Sequence, residues 1–249
     1  MAPMLKTLSA AVLCAAVSLP AAAAWQGSAG LGVTYMETGY RDADNQVMPF
    51  PAINIESDHF YLSGFEAGTF LMKTDHQRIT LGLSYMPLHF DPDDSDDTRM
   101  KKLDKRDGSL FANLGYSIRG DWGVLSASVA ADVMGESEGF MSDVNYMKRF
   151  AIGQWGVTPQ VGLTLTNDKF NEYYFGVSRA EENRGSFKAY SPDCDISPYL
   201  RVMADWQFAD RWTFFAETSV RFHGDEVKDS PMMDKDTMTS IGCGISYNF

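Results

Sequence analysis

The sequence predicts an all-β protein: a transmembrane, antiparallel, up-and-down β-barrel of about 12 strands, with about ten as the alternative. Three observations carry this. Stretches of apolar–polar alternation recur along the chain, each about 9–13 residues long, enough for a tilted strand to cross a bilayer and longer than a sandwich strand. The chain opens on a short apolar leader. It closes on a strand in which Ile241, Cys243, Ile245, Tyr247 and Phe249 share one face, and Ser240, Gly242, Gly244, Ser246 and Asn248 the other.

The leader accounts for residues 1–24. Lys6 makes the start positive, Leu8 to Leu19 form an apolar run, and Ala21 to Ala24 provide a small-residue cleavage site before Trp25. The run is too short for a spanning helix, and nothing downstream approaches the ~18 apolar residues such a helix needs. Cys14 follows Leu13 inside the run, so it leaves with the leader. Residues 25–249 are expected to form one barrel domain, exported to the outer membrane of a Gram-negative cell.

Taken in order, Leu31, Val33 and Tyr35 oppose Gly30, Gly32 and Thr34. Val47–Glu56 and Phe60–Lys73 alternate poorly. Regularity returns with Ile79, Leu81, Leu83 and Tyr85, then with Leu110 to Ile118 and Leu125 to Val133. Trp155 to Leu165, Ile196 to Phe208 and Trp212 to Phe222 follow the same rule. Three tight connections, at Gly120-Asp121, Gly153-Gln154 and Asp210-Arg211, each deliver a Trp to the next strand. These suit the periplasmic side, where turns are short and aromatics ring the interface. The longer polar connections, Thr38–Gln46, His89–Arg106, Asn167–Asp193 and Gly224–Asp236, are expected outside the cell.

Counting back from the last strand exposes a parity problem. Single strands throughout give an odd total, whereas single-chain bacterial barrels have even counts. Three resolutions are open. Tyr173–Ser178 adds a strand, Phe60–Lys73 folds back near Gly64–Gly68, or one segment lies in the lumen.

Composition excludes some functions. The net charge is −12, and loss of Lys6 with the leader leaves 20 basic against 33 acidic residues. Nucleic acid is therefore not an expected partner, and binding of anionic lipid by charge alone is disfavoured. Cys194 and Cys243 are expected as free thiols, because Cys243 lies mid-strand on the lipid face and Cys194 at a loop junction.

The interior face carries Asp132, Arg201, Asp205, Glu217 and Arg221. Arg201 and Asp205 lie four apart on one strand face, and Glu217 and Arg221 on the next. Buried charges need partners, so these residues are expected to form a structural salt-bridge ladder; the alternative is a charged constriction selecting small solutes. Asp91–Asp97 is acid-rich and followed by Lys101, Lys102, Lys105 and Arg106. It lacks the spacing of a calcium loop and reads as a solvated, self-neutralising segment, with cation bridging to lipopolysaccharide phosphates as a second reading. No cofactor or metal site is expected: His59, His76, His89 and His223 lack ligand spacing. His223, beside Gly224-Asp225-Glu226, leaves a barrel-rim hydrolase open, but the expectation is a protein that is not an enzyme.

Several motifs resemble the MltA-interacting protein (MipA) / OmpV family of outer-membrane proteins. They are Tyr173-Tyr174-Phe175-Gly176-Val177, Ala189-Tyr190-Ser191-Pro192, Asp132-Val133-Met134-Gly135, Asp229-Ser230-Pro231 and the closing Gly244 to Phe249. The resemblance implies an outer-membrane barrel with a scaffold role, docking peptidoglycan-synthesis and lytic enzymes. Its named member links a lytic transglycosylase to a murein synthase; other members are implicated in adhesion. It brings no catalytic residues. Outer-membrane lipid and lipopolysaccharide are the expected surroundings. The Tyr173–Phe175 aromatics themselves suggest an interface belt, or else a segment tucked into the barrel mouth. Tyr247 and Phe249 are expected to serve as a carboxy-terminal assembly signal.

Overall fold

The computed structural model describes residues 25–249, so the expected leader lies outside the described residues. One antiparallel sheet of fourteen segments closes on itself. Two strands are interrupted without change of register, which makes a closed barrel of 12 strands. They are β1 Gln26–Glu37, β2 in two segments Gln46–Pro51 and Asn54–Glu56, β3 Phe60–Ser63, β4 Glu66–Lys73 and β5 Gln77–Met86. Next come β6 Ser109–Gly120, β7 Gly123–Asp132, and β8 in two segments, Phe140–Met147 and Phe150–Ile152. The circuit ends with β9 Trp155–Thr166, β10 Asp195–Ala209, β11 Trp212–Phe222 and β12 Thr237–Asn248. β12 closes on β1, with Ser28 opposite Asn248 and Glu37 opposite Thr239.

Alternation becomes geometry here. Leu31, Leu163 and Ile241 are more than half exposed on the outer face. That distribution is inverted for water and correct for lipid, because a barrel satisfies all its backbone groups between strands and can offer apolar side chains outward. Cys194 and Cys243 are both free and exposed.

The parity problem resolves at residues 60–73, which fold back: β3 pairs with β4 around Gly64, whose φ of +56° suits the tight turn. Tyr173–Ser178 adds no strand. Among the described residues, the short β3–β4 hairpin leaves the upper part of β2 paired with β1 alone. Ala52 N–H donates to Gly30, and the Ile53 carbonyl accepts from Gly64 on the other side. Odd-numbered β2 residues therefore direct their backbone polar groups to the open side. Two of them, Pro49 and Pro51, have no N–H to leave unpaired.

The rim bearing the tight turns and Phe249 is also the aromatic one. Trp155 stacks on Trp206 at 5.3 Å, Trp122 on Tyr146 at 6.2 Å, and Trp212 meets Tyr247 edge-on at 5.2 Å. This is the periplasmic girdle. The buried hydrophobic core lies at the opposite rim, in the loops: Tyr40, Phe90, Met100, Phe170, Tyr174, Phe175, Val227 and Met232 come from four outer connections.

Candidate functional site

The outer loops form a cap built around one short helix. Asn167 starts α1, Asp168–Phe175, by accepting from the Phe170 amide at 3.2 Å, and the same oxygen accepts from Phe140 at 2.8 Å. Phe170 and Tyr174 share one helical face, as do Asn171 and Phe175, and all four are buried. The motif Tyr173-Tyr174-Phe175 is therefore not a belt at the interface. Tyr174 and Phe175 are tucked into the mouth, because helical spacing points both toward the barrel.

The carbonyls at the end of α1 would be orphaned without partners. The Tyr40 hydroxyl donates to the Tyr174 carbonyl at 3.2 Å, and Ser230 to Phe175 at 2.5 Å. Tyr174 in turn donates its hydroxyl to the Asp107 carbonyl at 3.1 Å. One residue thus ties three loops. Gly176 follows in extended conformation, and its amide closes the helix on Glu172. Val177 bridges to Tyr190 across the same loop.

α2, Arg179–Asn183, opens with a capping box between Ser178 and Glu181. Glu181 is buried and accepts from the Asp104 amide at 2.8 Å and from Arg106 at 2.7 Å. Burial alone would raise its carboxyl. The Asp104 and Ser178 amides and the Arg106 guanidinium outweigh burial and hold it below the usual carboxylate range. Arg106 therefore does not neutralise the acidic loop from solution. Among the described residues only Asp97 there forms an ion pair, with Arg99 at 2.6 Å.

The five interior charges separate. Asp132 stands at the outer end of β7 and holds the following loop: it accepts from Ser109 at 2.5 Å and from the Met134, Gly135, Ser137 and Glu138 amides. Asp205 pairs with Arg149 at 2.5 Å, not with Arg201. Arg221 lies over the Tyr199 ring at 5.3 Å, not beside Glu217. Arg201 and Glu217 form no ion pair among the described residues. The expected ladder is absent for a plain reason: four residues along a strand span about 13 Å, too far for ions to meet. A further lumen network escaped sequence reading. Glu56 takes Arg78 at 2.8 Å and Lys73 at 3.3 Å, with both cations over the Phe70 ring. Glu56, Phe70 and Lys73 lie in the two stretches that alternate poorly, and Arg78 at the start of the regular strand β5.

Below the cap the lumen holds two cavities, of about 570 Å³ and 800 Å³. Ser63, Arg201, Met203 and Glu217 line both, so they meet there. The larger reaches Gln154, Asp210 and Asn248 at the tight-turn rim, and so faces the periplasm.

His223 sits under the cap, buried, with its ring 5.8 Å from Phe175. Its Nε2 has no hydrogen-bond partner among the described residues. At the other rim the Phe249 and Gly27 backbones exchange hydrogen bonds of 3.0 and 3.5 Å. Arg211 donates to the Tyr247 hydroxyl at 3.0 Å. The two aromatics thus sit at the seam where the barrel closes.

Comparison with known proteins places this architecture. The sequence model described as "MltA-interacting protein MipA" matches residues 29–249. The MltA-interacting protein of Escherichia coli strain K12 is 35% identical over 245 residues, covering 98% of this chain and 99% of the relative. The putative outer membrane protein YiaT of the same strain is 31% identical over 231 residues, covering 93% and 94%. Outer membrane protein OmpV of Vibrio cholerae is 27% identical over 150 residues, covering 60% and 58%. A match that runs from the first strand to the last, through the capping loops and the closing seam, means that this outer-membrane barrel belongs to the MltA-interacting protein MipA family.

Proposed function

We propose that this barrel is a structural and docking protein of the outer membrane, not an enzyme and not an open pore. Its periplasmic rim would hold a murein-active enzyme, a lytic transglycosylase or a synthase, against the membrane. One observation carries the reading: the outer mouth is packed with a four-loop core in which Tyr174, Met100 and Met232 have no exposed surface, while the periplasmic end is open. A solute pathway needs both ends, whereas a docking protein needs only the inner one. The name of the Escherichia coli relative, an MltA-interacting protein, agrees in kind. His223 has no hydroxyl or thiol hydrogen-bonded to it among the described residues, which favours a packing role over a catalytic one.

The test is capture from solubilised envelopes on the immobilised barrel. Enrichment of murein transglycosylases or synthases over an unrelated barrel is expected, and loss of that enrichment on changing the exposed turn residues Asp121 and Arg211. Equal recovery on both barrels would sink the docking reading.

A further inference from the structure

We propose that the periplasm-facing lumen is a binding site for a small zwitterion, an α-amino acid or short peptide, whose carboxylate is taken by Arg201 and whose ammonium is taken by Glu217. The inference stands apart from docking, since it concerns the interior and not the rim.

The argument begins with what the lumen charges already hold. Glu66 accepts from the Tyr61 hydroxyl at 2.5 Å, and Asp205 has Arg149. Arg201 and Glu217, at the junction of the two cavities, have no side-chain partner among the described residues. They belong to paired strands: Arg201 faces Ser219 and Glu217 faces Met203, which makes them diagonal neighbours. Diagonal positions lie about 7–8 Å apart, within reach of one small ligand bearing both charges. Arg201 is exposed to the lumen and Glu217 half-buried, so both are accessible to a ligand, and a ligand bearing both charges gains a charge-assisted hydrogen bond at each end.

The wall supplies the rest of the recognition. Ser126, Ser128, Asn145, Thr158 and Gln160 line the inner cavity. Hydroxyls and amides of this kind suit peptide groups, each of which offers one donor and one acceptor. The Thr158 hydroxyl is buried with no partner among the described residues, although it lines this cavity. At about 570 Å³ the inner cavity falls within the small-ligand range of about 300–1,000 Å³. A neutral saccharide would use the hydroxyls but leave Arg201 and Glu217 without a charged partner.

The experiment is calorimetry on the full barrel in detergent, with alanyl-alanine as probe. Its N-acetylated and carboxy-amidated forms are the controls, and chitobiose is the competing class. Free dipeptide should bind with one site. Each blocked form should bind at least about tenfold more weakly, as should free dipeptide to Arg201→Gln or Glu217→Gln. Thr158→Val should weaken binding a few-fold. Heat-modifiable mobility on gels establishes that each variant is folded. Absence of dipeptide binding by the folded native barrel overturns the proposal, as does equal binding of blocked and free forms, or binding of chitobiose in place of the dipeptide. Dipeptide binding without enzyme capture would overturn docking and leave this site standing.

Discussion

Arg106 and Glu181 meet at 2.7 Å with side chains only 8% and 1% exposed, joining the β5–β6 loop to the loop that carries α1 and α2. Both ions have further partners: Arg106 also donates to the Asp104 carbonyl, and Glu181 accepts two amides, while the buried Arg106 Nε has no partner among the described residues. Breaking one side strands the other in a dry site. Glu181→Ala is therefore expected to destabilise the cap by about 3–5 kcal/mol, while Arg106→Met with Glu181→Leu together should cost less. Limited proteolysis of residues 87–108 reads this directly. The pH dependence follows from the carboxyl being held below its ordinary 4.5. A depressed acid stabilises fully above that value, and its contribution is lost only as pH falls below it. Single and double variants cleaved at equal rates would show that the pair does not hold the loops.

The strands and their faces were legible because a spanning strand repeats one rule for its whole length, as Trp155 to Leu165 does. The lumen pairings were not. Four-residue spacing brings side chains together on a helix and separates them on a strand, so Asp205 found Arg149, which meets it over Gly156 of the intervening strand, instead of Arg201. The α1 segment fits the mouth-segment alternative but not the strand or belt ones, for the converse reason: Tyr173-Tyr174-Phe175 looks like strand sequence until Phe170 and Asn171 supply the helical partners. Asn167 and the Ser178–Glu181 box were signals that could have found both helices. The fold-back of residues 60–73 depended on pairing, which local alternation does not encode.

His223 should make the cap acid-sensitive in a different window. Burial, and then the charge of Arg221, push its value from 6.5 down to about 4; Asp195 and Asp236 oppose this only partly. The folded chain takes the proton only near pH 4, the unfolded chain near 6.5. Between those values the unfolded state binds more protons, so stability falls as pH drops from 6.5 toward 4, by roughly 3 kcal/mol in all. Thermal melts of the barrel in detergent across that range should show the slope, and His223→Gln should remove it. A slope unchanged by that substitution would assign the effect to other groups.

Pro49 and Pro51 predict what the open edge of β2 would otherwise do. Their missing N–H groups lie on the side where no strand pairs. A free strand edge with donors is a template for another chain, and proline is one of the devices that blunt it. Pro49→Val with Pro51→Val restores both donors. The double variant is expected to show a larger dimer fraction than the native barrel by light scattering in detergent. An unchanged mass distribution would mean that the edge is covered by something other than proline chemistry.

Tyr174 connects the cap to the question of conduction. Its ring is fully buried against Phe170 and Tyr173, each 4.8 Å away. Tyr174→Phe removes only the hydroxyl bond to Asp107 and should cost about 1 kcal/mol. Tyr174→Ala removes the ring as well and should cost about 3–5 kcal/mol. That is enough to loosen loops whose joint core this ring fills, without touching a barrel wall paired strand to strand. Planar bilayers separate the two consequences. The native barrel should stay closed, Tyr174→Phe nearly so, and Tyr174→Ala should give irregular openings through a lumen that retains Arg201 and Glu217. Steady steps from the native barrel, altered by Arg201→Ala but indifferent to Tyr174→Ala, would mean that ions pass the cap by another route, and the pore reading would replace the docking one.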